Sequence, residues 1–400
     1  MVKLIFDDLK FEDKEDKIKV VFLKIFYFNL DKDKLSKIAK FRIDGNDIVF
    51  EDITERKARQ KLVFLFEDGF RNLKNSITGK KTIYIHKNLG IPLIGNISFG
   101  MIDRGTSVIE VKPITGCNID CIYCSVDQNK RTTDFVVEKD YIVNELKEII
   151  EFKSKHSKDP LEAHIGSNGE PLLYDDMIPL IEDISAINGI KTISMETNGT
   201  LLTKKTVDEL INAGLTQFNL SINAFTQGKA EQIANSKAYN LGKIMKIARY
   251  IAAKKVNLII APVWIPGLND DEIEKLIEFS KEIKADIGIQ NFLSYKQGKR
   301  PADAMDFDDF IVKLKTLEIK CGIELLNKHA SITQIKALPK PFKKGEIIDV
   351  EIKCDGRFKD EKIAVKNNRN ISVLDCNIDS GIIKVKIIRS KHNIFLSKTI

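Results

Sequence analysis

Cys117, Cys121 and Cys124 stand four and then three residues apart in the run Gly116-Cys-Asn-Ile-Asp-Cys-Ile-Tyr-Cys124. Thiolates at that spacing can reach three irons of one cubane cluster and leave the fourth iron without a protein ligand, and chemistry would start at that open iron. A structural zinc site would instead take four ligands from two knuckles, and the sequence offers no second Cys-x-x-Cys and no His pair nearby. A disulfide framework is disfavoured as well. Six cysteines in 400 residues is an ordinary number, Cys321, Cys354 and Cys376 are scattered, and the start Met-Val-Lys-Leu-Ile-Phe-Asp-Asp turns acidic where a signal peptide would stay apolar. A reducing, cytoplasmic setting is expected. No apolar run approaches the ~18 residues that span a bilayer, so no membrane is expected either.

The elements that must position these cysteines alternate along the chain. From about residue 106 to 323, six short β-rich runs (107–113, 161–167, 191–198, 216–223, 257–266, 286–293) are separated by amphipathic stretches (139–152, 176–187, 204–213, 243–255, 270–283, 306–320). Asn269-Asp-Asp-Glu272 offers a helix start and Ala213-Gly214 a stop. This alternation predicts an α/β fold with a parallel sheet, most simply a partial (β/α)6, TIM-like barrel, with a doubly wound open sheet as the alternative. In both, the site lies at the carboxyl ends of the strands.

The flanks read differently. Residues 1–95 predict a small N-terminal mixed α/β region, residues 96–337 the partial barrel, and residues 338–400 a separate β-unit beginning at the two-proline hinge Leu338-Pro-Lys-Pro341. Short alternating runs at 345–353, 362–365, 371–375, 381–388 and 393–396 predict a five-stranded, OB-like β-barrel. Residues 341–400 hold 13 Lys and Arg against 8 Asp and Glu, a surplus of five out of the net +7 of the whole chain. That balance suits a nucleic-acid partner, with a β-domain that merely caps the barrel as the plainer reading.

Several loops follow the predicted strands. Gly166-Ser-Asn-Gly-Glu-Pro171 can approach a ligand closely, and the Glu170 carboxylate can meet a positively charged amino group. Ser221 and Asn223 are polar residues on an otherwise apolar strand, placed to point into a barrel. Gln290 and Asn291 are candidates for its floor, and Tyr295, Lys296, Lys299 and Arg300 for an anionic substrate at its rim, although a solvated basic loop explains them equally well. Trp264, the only tryptophan, is expected to pack rather than flank a ligand. Cys321, Cys354 and Cys376 are expected to pack as well.

The cysteine spacing with Tyr123 before the last cysteine, the Gly169-Glu170-Pro171 stretch and Thr197-Asn198-Gly199 together resemble the radical S-adenosylmethionine (radical SAM) superfamily. The resemblance implies that Cys117, Cys121 and Cys124 hold a [4Fe-4S] cluster. SAM would chelate its open iron and be cleaved by one electron, supplied by a donor such as ferredoxin or flavodoxin, to a 5′-deoxyadenosyl radical that abstracts hydrogen from substrate. It also implies that Tyr123, Asn168, Gly169, Glu170, Pro171, Asn198, Ser221, Asn223 and Gln290 surround SAM, with Asn168 standing where the family has the first glycine of its Gly-Gly-Glu-Pro stretch. Lys296, Lys299 and Arg300 remain the substrate candidates.

Residues 102–106 and 288–296, together with the tail, resemble an archaeal radical SAM family with a C-terminal TRAM-like, RNA-binding domain. That resemblance leaves the reaction unassigned. It implies modification of a tRNA or rRNA nucleotide, with a maturase or activase acting on a protein or peptide as the alternative, and a cluster-bearing module without catalysis as a further one. TRAM-bearing methylthiotransferases use a second cluster bound upstream, and this chain has no cysteine before Cys117. Radical methyl transfer needs a pair of reactive cysteines, and only Cys321 is near the barrel. The tail is expected to be separable: loss of residues 341–400 should weaken RNA association and spare SAM cleavage.

Overall fold

A computed structural model describes residues 1–166, 168–326 and 332–400. At its centre lies an open sheet in which the strands Val108–Lys112, Leu161–Ile165, Ile190–Thr197, Gln217–Leu220, Asn257–Ile260 and Asp286–Ile287 run parallel, each beside its predecessor in sequence. Gly100–Asp103 adds an antiparallel edge. A doubly wound sheet would reverse its order partway, and this one does not. Ser167, the last residue of the expected second strand, lies outside the described residues.

The two faces of the sheet differ, which is unusual for parallel strands, since these are commonly apolar on both faces. Ile109, Val111, Ala163, Ile165, Ile193, Met195, Phe218 and Leu220 are buried and alternate with Glu110, Lys112, Glu162, His164, Ser194, Glu196, Gln217 and Asn219. The apolar set packs under helices that present one greasy stripe each. In Leu241–Ala252 the buried residues Leu241, Ile244, Ile247, Ala248 and Ile251 recur at helical spacing, and the Asn240 side chain caps the first turn by accepting from Lys243 N–H. Lys139–Ser154, Met177–Ser185, Lys204–Asn212, Asp270–Ile283 and Phe307–Cys321 also form, close to the expected positions. The helix Gln227–Ala234 was not expected.

The fifth and sixth strands are shorter than the sequence suggests. Pro262 has no N–H to continue a ladder, so the chain bends after Ile260. It resumes as a separate parallel pair between Val263–Trp264 and Gln290–Asn291.

The N-terminal part supplies a mixed sheet of Leu9–Asp13, Lys17–Phe22, Phe26–Asp31, Lys74–Asn75 and Lys81–Ile85, covered by the helix Glu55–Arg71. Rings of Phe22, Phe28, Phe66, Phe70 and Tyr84 meet edge-on or tilted between them. This sheet is completed by Thr133–Val137, a fully buried strand that arrives from beyond the cysteines and pairs in parallel with Lys81–Ile85.

The C-terminal residues form a closed barrel of Ile347–Asp355, Lys362–Lys366, Arg369–Leu374, Leu396–Thr399 and Gly381–Arg389, in that order around the circle. It encloses its own core of Phe342, Val350, Ile371, Val373, Val385 and Phe395. The expected hinge at residues 338–341 is instead clamped. Leu338 N–H donates to the Asp103 carboxylate (2.7 Å), which is also paired with Lys153 (2.6 Å) in full burial, and Arg369 donates to the Pro339 carbonyl (2.9 Å). Residues 92–96 lie along the barrel through bonds from Asn370 N–H to the Ile94 carbonyl and from Phe395 N–H to the Gly95 carbonyl, both 2.9 Å. A side chain at Gly95 would collide with the Asn370 backbone, so this seam needs glycine.

Candidate active site

The cysteines lie on the loop that leaves Val108–Lys112, at the carboxyl end of the sheet. Neighbouring segments hold the loop firmly. Lys299 N–H donates to the Cys124 carbonyl (3.0 Å), and the Lys299 ammonium binds both the Asp120 carbonyl (3.0 Å) and its carboxylate (2.5 Å). Asn118 bridges to Thr200 (2.8 Å) and Asn198 (3.0 Å). Arg131 donates to the Thr115 carbonyl (2.6 Å) and pairs with fully buried Asp134 (3.0 Å).

The loop 168–170 lies directly on the cysteine loop. Glu170 N–H donates to the Gly116 carbonyl (2.8 Å), and a Cβ at Gly169 would strike the carbonyls of Gly116 and Thr115. The Glu170 carboxylate, 1% exposed, accepts from Leu172 N–H (3.1 Å), the Thr197 hydroxyl (2.7 Å) and Asn198 N–H (2.8 Å). Burial outweighs these donors and pushes its pKa up to about 7. An arriving ammonium would reverse that penalty, which suits a site for a cationic amino group.

Tyr123 is half-buried, and its hydroxyl accepts from the Asn223 amide (2.9 Å). The other end of that amide accepts from Val263 N–H (2.8 Å), and Asn269 in turn donates to the Asn223 carbonyl (2.8 Å). The expected capping residue Asn269 thus spends its side chain on the site.

These loops border one cleft of about 550 Å³. Its walls include Cys117, Cys121, Cys124, Tyr123, Asn168, Gly169, Glu170, Asn198, Ser221, Asn223 and Gln290, and its mouth carries Leu293, Tyr295 and Phe307, which are exposed. Pro171 is buried behind the wall, where it starts a short 3₁₀ turn. Lys296, Lys299 and Arg300 do not line the cleft: Lys299 is committed to Asp120, while Lys296 and Arg300 stand exposed beyond Tyr295. Trp264 packs, donating to Asp270 (2.9 Å) and meeting Phe310 edge-on.

Among the described residues, no three or more His, Cys, Asp or Glu side chains converge closely enough to grip a single metal ion. The three thiols share one cleft wall, as a cluster in which each sulfur takes a different iron requires. Burial pushes the Cys117 thiol up to about 12, far outweighing the Arg131 charge that pulls it down, and raises that of Cys121 still further. A positively charged iron centre is what such thiols need in order to ionise.

Sequence reasoning missed a polar relay on the inner face of the sheet. The Ser194 hydroxyl donates to Glu162 (2.5 Å), so it must accept from His164 Nδ1–H at 2.7 Å. The other ring nitrogen faces Glu196 at 3.6 Å, and Glu196 lines the cleft. Burial alone would lower the His164 pKa, but its bonds to Glu162 and Glu196 raise it to about 9. The signal available beforehand was the alternation of polar residues along three consecutive strands.

The sequence profile of the radical SAM superfamily matches residues 111–280, which carry the cysteine loop, the Glu170 loop and Asn198. The Methanocaldococcus jannaschii protein MJ0103, itself uncharacterized, is 38% identical over 364 residues, 82% of this chain and 83% of that one. GTP 3′,8-cyclases of Thermodesulfovibrio yellowstonii and Aquifex aeolicus are 28% and 31% identical over 49% and 46% of the chain, spanning 59% and 55% of their own lengths. Among solved structures, Streptococcus suis SuiB aligns over 80% of this chain and 70% of its own at 15% identity, with a TM-score of 0.43. A radical SAM methyltransferase from Sphaerobacter thermophilus aligns over 57% and 70%, also at 15% identity, with a TM-score of 0.45. With the profile falling on the loops that build the cleft, the chain belongs to the radical SAM superfamily of enzymes, whose members work with a [4Fe-4S] cluster and S-adenosylmethionine.

Proposed function

We propose that this radical SAM enzyme modifies a nucleotide of an RNA, and that the cleft described above is where it does so. The single observation that carries the reading is the continuity of that cleft. The three thiols stand in its wall, the buried Glu170 carboxylate lies beside them, and exposed Tyr295 and Phe307 frame its mouth with Lys296 and Arg300 just outside. Flat aromatic faces with neighbouring positive charge suit a splayed-out base and its phosphates. The sequential strand order and polar inner face support an open (β/α)6 arc around this lumen, between an N-terminal region of about 95 residues and a C-terminal OB-like, TRAM-like barrel from residue 338.

In this reading Cys117, Cys121 and Cys124 hold the cluster. When bound, cluster and SAM together supply a radical that removes a hydrogen atom from substrate, with the electron coming from a ferredoxin or flavodoxin. The chain's own residues do the rest. Glu170 and the backbone of residues 168–169 receive the amino group of SAM, and Asn198, Ser221 and Gln290 receive its remaining polar edges. Tyr123, locked by Asn223, keeps the last two cysteines in register. Leu293, Phe307 and Phe310 give the outer part of the cleft an apolar surface.

The barrel's Asp375 is held low chiefly by Lys398, and the charge of Lys296 reaches it as well, so the barrel stands near this mouth. Its surplus of positive charge would hold phosphates beside the cleft. GTP 3′,8-cyclase among the partial relatives favours a nucleotide over a peptide, and a cytoplasmic location fits an RNA substrate. Mass spectrometry of total nucleosides from cells with and without the gene tests the reading. One modified nucleoside is expected to disappear, and an unchanged profile would transfer the assignment to a protein or peptide substrate.

A further inference from the structure

The C-terminal barrel does more than sit beside the cleft. Its loop 356–361 is wedged between the cysteine loop and the loop that carries Glu170, and Arg357, 1% exposed, is its innermost side chain. The Arg357 guanidinium donates through Nη2 to the Asn168 carbonyl at 2.8 Å. The Arg357 carbonyl accepts from Thr132 N–H (2.9 Å), on the segment leaving the cysteines. The loop itself is made rigid by the Glu361 carboxylate, which accepts from Arg357 N–H (3.0 Å) and Phe358 N–H (3.1 Å). On its other side, Asn168 donates to the Ile97 carbonyl (3.1 Å). Burying a guanidinium is costly unless its charge and donors are used. Burial and the nearby Arg131 work against the charge and Asp134 and Glu361 only partly offset them, while the guanidinium spends its donor on the loop immediately before Gly169 and Glu170.

We propose that Arg357 is a positioning residue of the cofactor site: the barrel, through this guanidinium, fixes the backbone of residues 168–170, so that barrel docking and SAM affinity are coupled. The inference rests on the reading that this loop receives SAM. Coupling of this kind is reciprocal, so SAM must tighten the barrel against the sheet by the same factor by which the docked barrel tightens SAM. The barrel is then a working part of the SAM site, contrary to the expectation that it can be removed without loss of SAM cleavage.

The test uses anaerobically reconstituted full-length enzyme, with SAM binding followed by the change it causes in the EPR signal of the reduced cluster. Arg357→Met is expected to raise the SAM Kd at least tenfold with the cluster content unchanged. Arg357→Lys, too short to reach the carbonyl while keeping the charge, is expected to do the same. Asn370→Ala removes one bond of the seam with residues 92–96, the donation to the Pro92 carbonyl (2.6 Å), while the Arg357 contact keeps the barrel docked, and is expected to leave Kd within twofold. A folded Arg357 variant that titrates like wild type overturns the inference. So does an Asn370→Ala defect as large as that of Arg357→Met, which would mark general loosening. A wild-type signal that ignores SAM takes down the cofactor-site reading and the inference with it. Should the Arg357 variants not fold, hydrogen exchange of the wild-type enzyme decides: SAM is expected to slow amides 356–361 at least tenfold, and protection confined to 168–172 would overturn the coupling.

Discussion

His164 is charged in a place where burial alone would remove its proton, because Glu162, through Ser194, and Glu196 flank the ring on both sides. Its pKa rises from 6.5 to about 9 on folding. A folded-state pKa above the unfolded one gives stability that is fully present below about pH 6.5 and is lost as pH climbs through 9. Replacing the residue, as in His164→Gln, is therefore expected to cost on the order of 2–3 kcal/mol near pH 6 and little above pH 9.5. The measurement is the gap in Tm between the two proteins across that range, and a gap independent of pH would show that the ring is held neutral. On the same face, and against the upward pull of burial, Glu110 is held below the usual carboxylate range by Lys112 and Arg104 and Glu196 by His164 itself, so both titrate below this window. The alternation hinted at a polar inner face, but the pairing of His164 with Ser194 and Glu196 runs between strands thirty residues apart and leaves no trace in either strand alone. The role of Lys299 was hidden for a related reason: its partner Asp120 lies 179 residues away in the chain.

At the scale of elements, the site depends on two loops touching without side chains between them. Gly169 has an ordinary negative φ, so its requirement is steric and not conformational. A methyl group there meets two backbone carbonyls, which cannot swing aside as a side-chain tip can. Gly169→Ala is expected to lower stability by roughly 1–3 kcal/mol and to weaken SAM binding. An alanine variant with wild-type Tm and wild-type SAM titration would mean that the loops are not in contact in solution. Strand and helix alternation was readable because the buried residues of each strand and each helix follow their own periods. The shortening of the last two strands was readable only in part, from Pro262. Thr133–Val137 was missed because five consecutive buried residues carry no alternation, and nothing local says that its partner strand is Lys81–Ile85, about fifty residues earlier.

At the scale of the whole molecule, the sequence suggests three units joined in series, and changes of composition near residues 95 and 338 justify that picture. The contacts are denser than it implies. Asp103 ties the start of the central sheet to the helix Lys139–Ser154 and to the linker before the barrel, and the barrel reaches into the cofactor loop. Such seams are made by single buried polar residues and a required glycine, features that leave no periodic trace. The pairing of Lys81–Ile85 with Thr133–Val137 carries a consequence for biosynthesis. As the chain leaves the ribosome, the first sheet waits with a naked edge until residue 137 emerges, and by then the three cysteines are already outside the tunnel. Residues 1–95 expressed alone are accordingly expected to show no cooperative melting and to self-associate, and a sharp, reversible transition from that fragment would contradict the dependence. The three cysteines and the strand that completes the first sheet thereby emerge in the same interval of synthesis.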